Sequence, residues 1–193
     1  IAIVGAIASD ISCNAANGIN NNGSAQFTVT GVSALGNYDV ATAPLLLPAQ
    51  ISRAGNVVTL TGLTAGTYTV TVIDRTTGCP EDDSVTFTEP VAIDFTASAS
   101  KVFCSKDVSQ ITVSGVIGGT GVYSYAVVAG GASAPAVGAY TNVATLSVDT
   151  NLTNLSWDVY VKDANGCIRK KNVMVVNNAP PTISVPAQQC YTG

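Results

Sequence analysis

Hydrophobic and polar residues alternate along most of this chain, in short runs that end at Gly, Asn or Asp. A period of two is typical of β-strands that bury one face, and these runs are rich in Val, Ile, Thr and Tyr. We predict an all-β protein of tandem immunoglobulin-like β-sandwich modules, because about six or seven short strands per module fit that fold. The predicted strands lie at residues 2–9, 24–32, 37–42, 56–61, 67–74, 84–89, 92–98, 109–117, 122–129, 143–148, 156–162 and 171–177.

The pattern repeats about every 90 residues, and self-similarity at a fixed period indicates an array of structural modules. The segment GLTAGTYTVTVIDRTTGC (62–79) matches NLTNLSWDVYVKDANGC (151–167), so that Asp74 corresponds to Asp163. In both copies a Gly precedes the cysteine, which predicts a tight turn at the end of a hairpin. The repeat predicts an Ig-like module at 1–90, a second at 91–180 and the truncated start of a third at 181–193.

Five cysteines occupy corresponding places in the repeat. Their equal placement predicts one disulfide within each module, Cys13 with Cys79 and Cys104 with Cys167. Cys190 is then the first cysteine of the third module, and its expected partner lies beyond this sequence. Such pairing is typical of an oxidising compartment. Two alternatives stay open: metal ligation, poorly supported without His or closely spaced Cys pairs, and buried free thiols.

Tyr68 and Trp157 stand at equivalent places, where a late strand begins after a tight turn. A Tyr in that position can bury its ring and bond its hydroxyl back to the chain, as in the tyrosine corner of β-sandwiches. We predict this structural role for both residues, with an indole N–H replacing the hydroxyl at Trp157. A ligand-stacking role for Trp157 is the alternative, although the alternation around it favours core packing.

Charge and composition narrow the possible functions. The chain has 8 Lys and Arg against 12 Asp and Glu, a net charge of −4, which gives no electrostatic reason to bind nucleic acid. No apolar run is long enough to span a membrane. There is no His to act as a catalytic base, and we expect no catalytic, cofactor-binding or metal-binding residue. Calcium at the joint between modules is the alternative, because carboxylates cluster there at Asp10, Glu81, Asp82, Asp83, Glu89 and Asp94.

Several sequence motifs together resemble those of a known family. They are a cysteine near each module start, GGTGVYSY at 118–125, the LxxGxYxVxV phrase from Leu63, and a closing strand that ends at Glu89 and Pro90. In these features the chain resembles the SprB-type repeats of large surface adhesins in gliding Bacteroidota, relatives in shape of PKD and bacterial Ig-like modules. The resemblance implies type IX secretion and a place in long extracellular filaments at the cell surface.

We therefore predict a structural and adhesive segment of a secreted cell-surface protein, which spaces or presents binding regions without catalysis. The expected partners are neighbouring repeats of the same chain and cell-surface or polysaccharide targets. The alternative is a carbohydrate-binding or accessory module of a secreted enzyme. Such a module would present a row of exposed aromatic rings, and the chain has a single Trp.

Overall fold

The computed structural model describes residues 1–103, 107–151 and 153–178. The regular secondary structure of the described part is almost wholly β-strand, so the all-β prediction is confirmed. A short 3₁₀ turn lies at Pro48–Gln50 and another at Val137–Ala139. None of the helices in these ranges is long and apolar enough to cross a membrane. The first strands are β1 (Ala2–Ser9), β2 (Gly23–Thr30), β3 (Tyr38–Ala43), β4 (Ile51–Ala54), β5 (Val57–Leu63), β6 (Gly66–Asp74) and β7 (Pro80–Phe87).

These seven strands form two antiparallel sheets, one in the order β1-β2-β5-β4 and the other in the order β3-β6-β7. With the strands lettered A to G along the chain, the sheets read ABED and CFG. This is the strand order of the constant-type immunoglobulin fold. The chain therefore contains an immunoglobulin-like β-sandwich, and the order of the strands carries that assignment.

Period-two alternation places one face of each sheet in the core of this first sandwich. On β2, Ala25, Phe27 and Val29 are buried while the residues between them are exposed, and Val70 and Val72 are buried in the same way on β6. Val70 lies two residues after Tyr68, where antibody domains carry the second cysteine of their inter-sheet disulfide. Aliphatic packing thus takes the place of a disulfide at that point in the core.

The hydroxyl of Tyr68 bonds back to the preceding turn. It donates to the carbonyl of Thr64 at 3.2 Å and accepts from the Thr64 amide at 3.1 Å, and the ring is buried. The ring also meets Phe87 edge to face, with 6.0 Å between centroids. The half-buried Trp157 donates its indole N–H to the carbonyl of Asn154 at 3.1 Å. That the two residues act as equivalent corners stays a prediction.

The remaining strands repeat much of this plan. They are β8 (Asp94–Ala99), β9 (Val102–Phe103), β10 (Val108–Ile117), β11 (Ser124–Ala129), β12 (Thr145–Asp149), β13 (Ser156–Lys162), β14 (Ile168–Met174) and β15 (Asn177–Asn178). The three-stranded sheets β8-β10-β12 and β11-β13-β14 correspond to ABE and CFG, and β9 pairs in parallel with β15.

Contacts divide the chain into two compact units. Unit 1 comprises Ile1–Phe95, Gly115–Tyr123 and Val161–Arg169, and unit 2 comprises the other described residues. Unit 1 contains the first sandwich together with two turns from the second half of the sequence. The module boundary at residue 90 follows from the sequence repeat alone, and it stays a prediction.

Candidate functional site: a disulfide-anchored loop

A loop in unit 1 is fixed by a covalent bond. Residues 12–18, called the anchor loop below, follow β1, and Cys13 in this loop forms a disulfide with Cys167. The two Cα atoms are 5.5 Å apart, near the commonest spacing for disulfides. Both cysteines are buried. The bond joins positions 154 residues apart, so it closes most of the chain into one covalent loop.

This pairing corrects the predicted disulfides. Cys13 does not pair with Cys79, which is a free and exposed thiol, and Cys167 is not available to Cys104. The reason is geometric, because a disulfide forms only between cysteines whose Cα atoms come within about 7 Å of each other. The fold brings the anchor loop to the turn after β13 and leaves the turn after β6 uncovered. Cys104 and Cys190 lie outside the described residues.

Asn17 holds the anchor loop through both its side chain and its backbone. Its Oδ1 accepts from the amide of Ile93 at 2.7 Å, and its Nδ2 donates to the carbonyls of Ile93 and Ile168, each at 3.4 Å. The Asn17 carbonyl accepts from the Ile168 amide at 2.6 Å. The side chain is buried, so these bonds satisfy backbone groups that water does not reach.

Replacing Asn17 with Ala should lower the free energy of unfolding by about 1 to 3 kcal/mol, because the buried Ile93 amide loses its partner. Asn17→Asp keeps the acceptor but turns a carboxylate oxygen towards two carbonyls, so at neutral pH it should cost more than Asn17→Ala. Urea denaturation of the oxidised variants measures both effects. The exposed Ala15 provides a neutral control as Ala15→Ser. Equal stability of the wild type and both Asn17 variants would contradict this account of the loop.

The turn that carries Cys167 is organised by one carboxylate. Asp163 is buried, and its Oδ2 accepts from the Thr120 amide at 2.8 Å. Its Oδ1 accepts from the amides of Asn165 and Cys167, each at 2.9 Å. Gly166 takes a left-handed conformation with φ 85°, whereas Asn165 does not. A single left-handed glycine therefore closes the tight turn that the sequence predicts here.

The corresponding turn of the first sandwich is built in the same way around Asp74. The Asp74 carboxylate accepts from the amides of Ser33 at 2.8 Å, Thr76 at 2.7 Å and Thr77 at 3.1 Å. The bond from the Ser33 amide is the largest cause of a lowered carboxyl pKa, and the Thr77 amide adds to it. Together these donors bring the pKa of Asp74 from 3.8 to about 2. The folded protein thus favours the ionised form of this carboxyl.

A carboxyl with a lowered pKa in the folded state stabilises the protein above its ordinary pKa, and this contribution is lost as the pH falls. We therefore expect the contribution of Asp74 to the free energy of unfolding to be complete above pH 4 and to be lost as the pH falls through 2. The stability difference between wild type and Asp74→Asn should narrow over the same range. Denaturant unfolding at a series of pH values measures this. The exposed Asp82→Asn is the control, and a constant difference between wild type and Asp74→Asn down to pH 2 would contradict the prediction.

Two of the six acidic residues that suggested calcium make other contacts. Asp83 accepts from the Gly5 amide at 2.8 Å, and Glu89 accepts from the Asn20 side chain at 2.8 Å and from the Ala15 amide at 3.4 Å. Within the ranges that the structure covers, no three His, Cys, Asp or Glu side chains gather as a metal would require. Calcium binding stays an untested prediction.

The sequence pattern points to the cysteines and to the two turns that begin at an aspartate, but not to Asn17. An Asn in an irregular loop carries no periodic signal, and its partners lie far away in the sequence, at Ile93 and Ile168. Its position four residues after Cys13 is the only local sign of its role.

Comparison with known proteins shows no family for this chain. No family model matches it, and no curated protein matches it. Among solved structures, the ectodomain of mouse nectin-like molecule 4 is 12% identical with a TM-score of 0.37, and the match covers 95% of this chain and 66% of that one.

Two further structures give similar values. Domains A168–A170 from titin are 14% identical with a TM-score of 0.35, and the match covers 92% of this chain and 67% of theirs. The three N-terminal domains of the bacteriophage RB49 Highly Immunogenic Outer Capsid protein are 14% identical with a TM-score of 0.43, covering 90% of this chain and 59% of that one.

Proposed function

We propose that this chain is a load-bearing structural segment of an extracellular cell-surface protein, one that spaces or presents binding regions and performs no catalysis. The observation that carries the proposal is the disulfide between Cys13 and Cys167. Force applied at the two ends of the chain passes across this bond, so the residues that it encloses cannot be drawn out while it is intact. A segment built in this way keeps a nearly fixed length under tension.

The disulfide also supports an extracellular location, since such bonds persist in oxidising surroundings and are rare in the cytosol. The low charge of the chain fits the same setting, because Thr, Ser and Asn must supply most of its polar surface. A place among SprB-type repeats of a Bacteroidota adhesin, exported by type IX secretion, is part of this proposal and rests on the sequence resemblance.

Single-molecule stretching from the two ends of the chain tests the proposal. Under oxidising conditions, the segment between the two cysteines, which are 154 positions apart, should stay closed. Reduction should then release an additional contour length of roughly 500 Å, because an extended residue spans about 3.3 to 3.6 Å.

Matched variants make the stretching test specific. Cys13→Ser should give the long extension without a reductant, whereas Cys79→Ser should behave as the wild type, since Cys79 is unbonded. The same extension for the oxidised wild type and for Cys13→Ser would overturn the load-bearing proposal.

A cleft in unit 1 supports the second candidate, carbohydrate binding. It has a volume of about 570 Å³, within the usual range for small-molecule sites. Arg53 stacks on the ring of Tyr38, with 4.3 Å from its Cζ to the ring centroid. Affinity electrophoresis through soluble polysaccharides tests this candidate, and Arg53→Ala should remove any retardation. The cleft is lined by Asp39, Val40, Leu46, Pro48, Ile51 and Arg53.

A further inference from the structure

Two turns in unit 1 have the same construction, although they come from different halves of the sequence. The Asp74 turn spans residues 74–79 and the Asp163 turn spans residues 163–167. In each, the aspartate amide donates to the carbonyl of the cysteine that ends the turn, at 3.1 Å to Cys79 and 3.0 Å to Cys167.

Two more features are shared by the turns. Each carboxylate accepts from a backbone amide outside the turn at 2.8 Å, that of Ser33 at the Asp74 turn and that of Thr120 at the Asp163 turn. The glycine before each cysteine is left-handed, with φ 72° at Gly78 and 85° at Gly166. The two cysteines therefore end turns that have these three features in common.

The two cysteines nevertheless differ in their surroundings. Cys167 is buried beneath the anchor loop and bonded to Cys13, while Cys79 is exposed and unbonded. The Asp163 turn thus shows which partner such a turn binds: a loop that contains a cysteine and, four residues later, an asparagine.

We propose that the Asp74 turn is a docking site for an anchor loop from another module of this type, which would form a disulfide with Cys79. The arrangement would repeat the bond between Cys13 and Cys167. Successive modules would then be cross-linked in series, each through the turn of the next. This inference rests on the proposed structural function and names the partner that function needs.

The Asp74 turn is one residue longer than the Asp163 turn, and it also lacks a hydrogen bond that helps to hold the anchor loop. At the Asp163 turn, the amide of Ile168 donates to the carbonyl of Asn17 at 2.6 Å. Pro80 stands at the equivalent place after Cys79 and has no amide hydrogen. Noncovalent docking at Cys79 is therefore weaker than at Cys167, and the covalent bond contributes a larger share of the affinity.

Formation of the bond requires a disulfide oxidant, for which oxidised glutathione serves in the test. The Cys79 thiolate attacks one glutathione sulfur, forming a mixed disulfide and releasing one glutathione thiolate. The thiolate of the incoming loop then attacks the Cys79 sulfur and displaces the second glutathione. Two protein thiols lose two electrons and two protons, and one glutathione disulfide becomes two glutathione thiols.

The first arm of the test uses a free peptide as the loop. The protein is the full chain with Cys104→Ser and Cys190→Ser, in which the bond between Cys13 and Cys167 is intact and Cys79 is the remaining thiol. The probe is a peptide with the sequence of residues 9–20, SDISCNAANGIN, in a glutathione redox buffer. Mass spectrometry should show about tenfold more capture at Cys79 than for a scrambled peptide, the effect of about 1.4 kcal/mol of specific contacts.

The second arm presents the loop on a folded copy. A chain with Cys79→Ser, Cys104→Ser, Cys167→Ser and Cys190→Ser has Cys13 as its remaining thiol, and it is mixed with the protein of the first arm. The expected product is a covalent dimer that joins Cys13 of one copy to Cys79 of the other, in excess over dimers joined through two Cys79 residues.

If Cys79 captures the peptide in the first arm but no cross-link forms in the second, the docking loop comes from an unfolded or flexible segment. If the cross-link forms in the second arm, the docking loop comes from a folded second copy. Either result supports the docking site. The proposal is overturned if Cys79 captures the loop peptide no better than the scrambled peptide and if the dimers in the second arm form in the proportions expected from random pairing of thiols. The load-bearing proposal is tested separately, because its stretching experiment depends on the bond between Cys13 and Cys167 and uses Cys79→Ser only as a control.

Discussion

Removal of the disulfide by the double substitution Cys13→Ser and Cys167→Ser should lower the free energy of unfolding by up to about 5 kcal/mol. The bond joins residues that are 154 positions apart, and chain entropy in the unfolded state makes the stabilisation grow with the logarithm of the loop length. For a chain of this size the melting temperature should fall by roughly 10 to 20 °C. Thermal unfolding followed by circular dichroism, with and without a reductant, measures the effect.

The control for this prediction is Cys79→Ser, which changes an exposed and unbonded thiol and should shift stability by less than about 0.5 kcal/mol. Non-reducing peptide mapping should recover Cys13 linked to Cys167. A map that shows Cys13 linked to Cys79, or a reductant effect no larger than that of the control, would refute the pairing.

Gly118→Ala should lower the free energy of unfolding by about 2 to 5 kcal/mol, the sum of a left-handed backbone penalty and a steric overlap. Gly118 has φ 70°, and a Cβ there would lie 2.7 Å from the carbonyl carbon of Ala92 and 2.8 Å from the oxygen of Val91. Both obstacles are backbone atoms, so they cannot move aside as the end of a flexible side chain can. Urea denaturation measures the loss.

Gly121 provides a matched control three residues away. It has a similar φ of 65°, but a Cβ there would meet no atom within 4 Å. Gly121→Ala should therefore cost only the backbone penalty of about 1 to 2 kcal/mol. If the two variants lost the same stability, the close approach of Gly118 to the segment at Val91 and Ala92 would be refuted.

The sequence determined the class of the fold because alternation is a local property. The predicted strand at 2–9 coincides with β1, and the prediction at 67–74 falls one residue short of β6. Strands whose polar or charged residues interrupt the alternation were harder to find. β7 begins at Pro80 instead of residue 84, since the run Glu81-Asp82-Asp83 conceals its start, and β4 was missed because Ile51–Ala54 is short and mostly polar or exposed.

The repeat in the sequence also determined which residues are equivalent, and the two aspartate turns show that equivalence in their hydrogen bonds. It could not determine which cysteines meet. Equivalence relates Cys79 to Cys167, but a disulfide depends on proximity, and the prediction assumed that each module closes on itself. Only the tertiary structure decided that the anchor loop lies against the Asp163 turn.

The contacts that complete the candidate site were likewise decided by the tertiary structure. Asn17 is an ordinary loop residue in the sequence, and it becomes structural because the fold places the backbone of Ile93 and Ile168 around its amide. Local sequence sets the strands and turns, since their hydrogen bonds and alternation involve near neighbours or a simple period. The cross-link and the loop beneath it depend on residues more than 70 positions apart, and only folding brings those residues together.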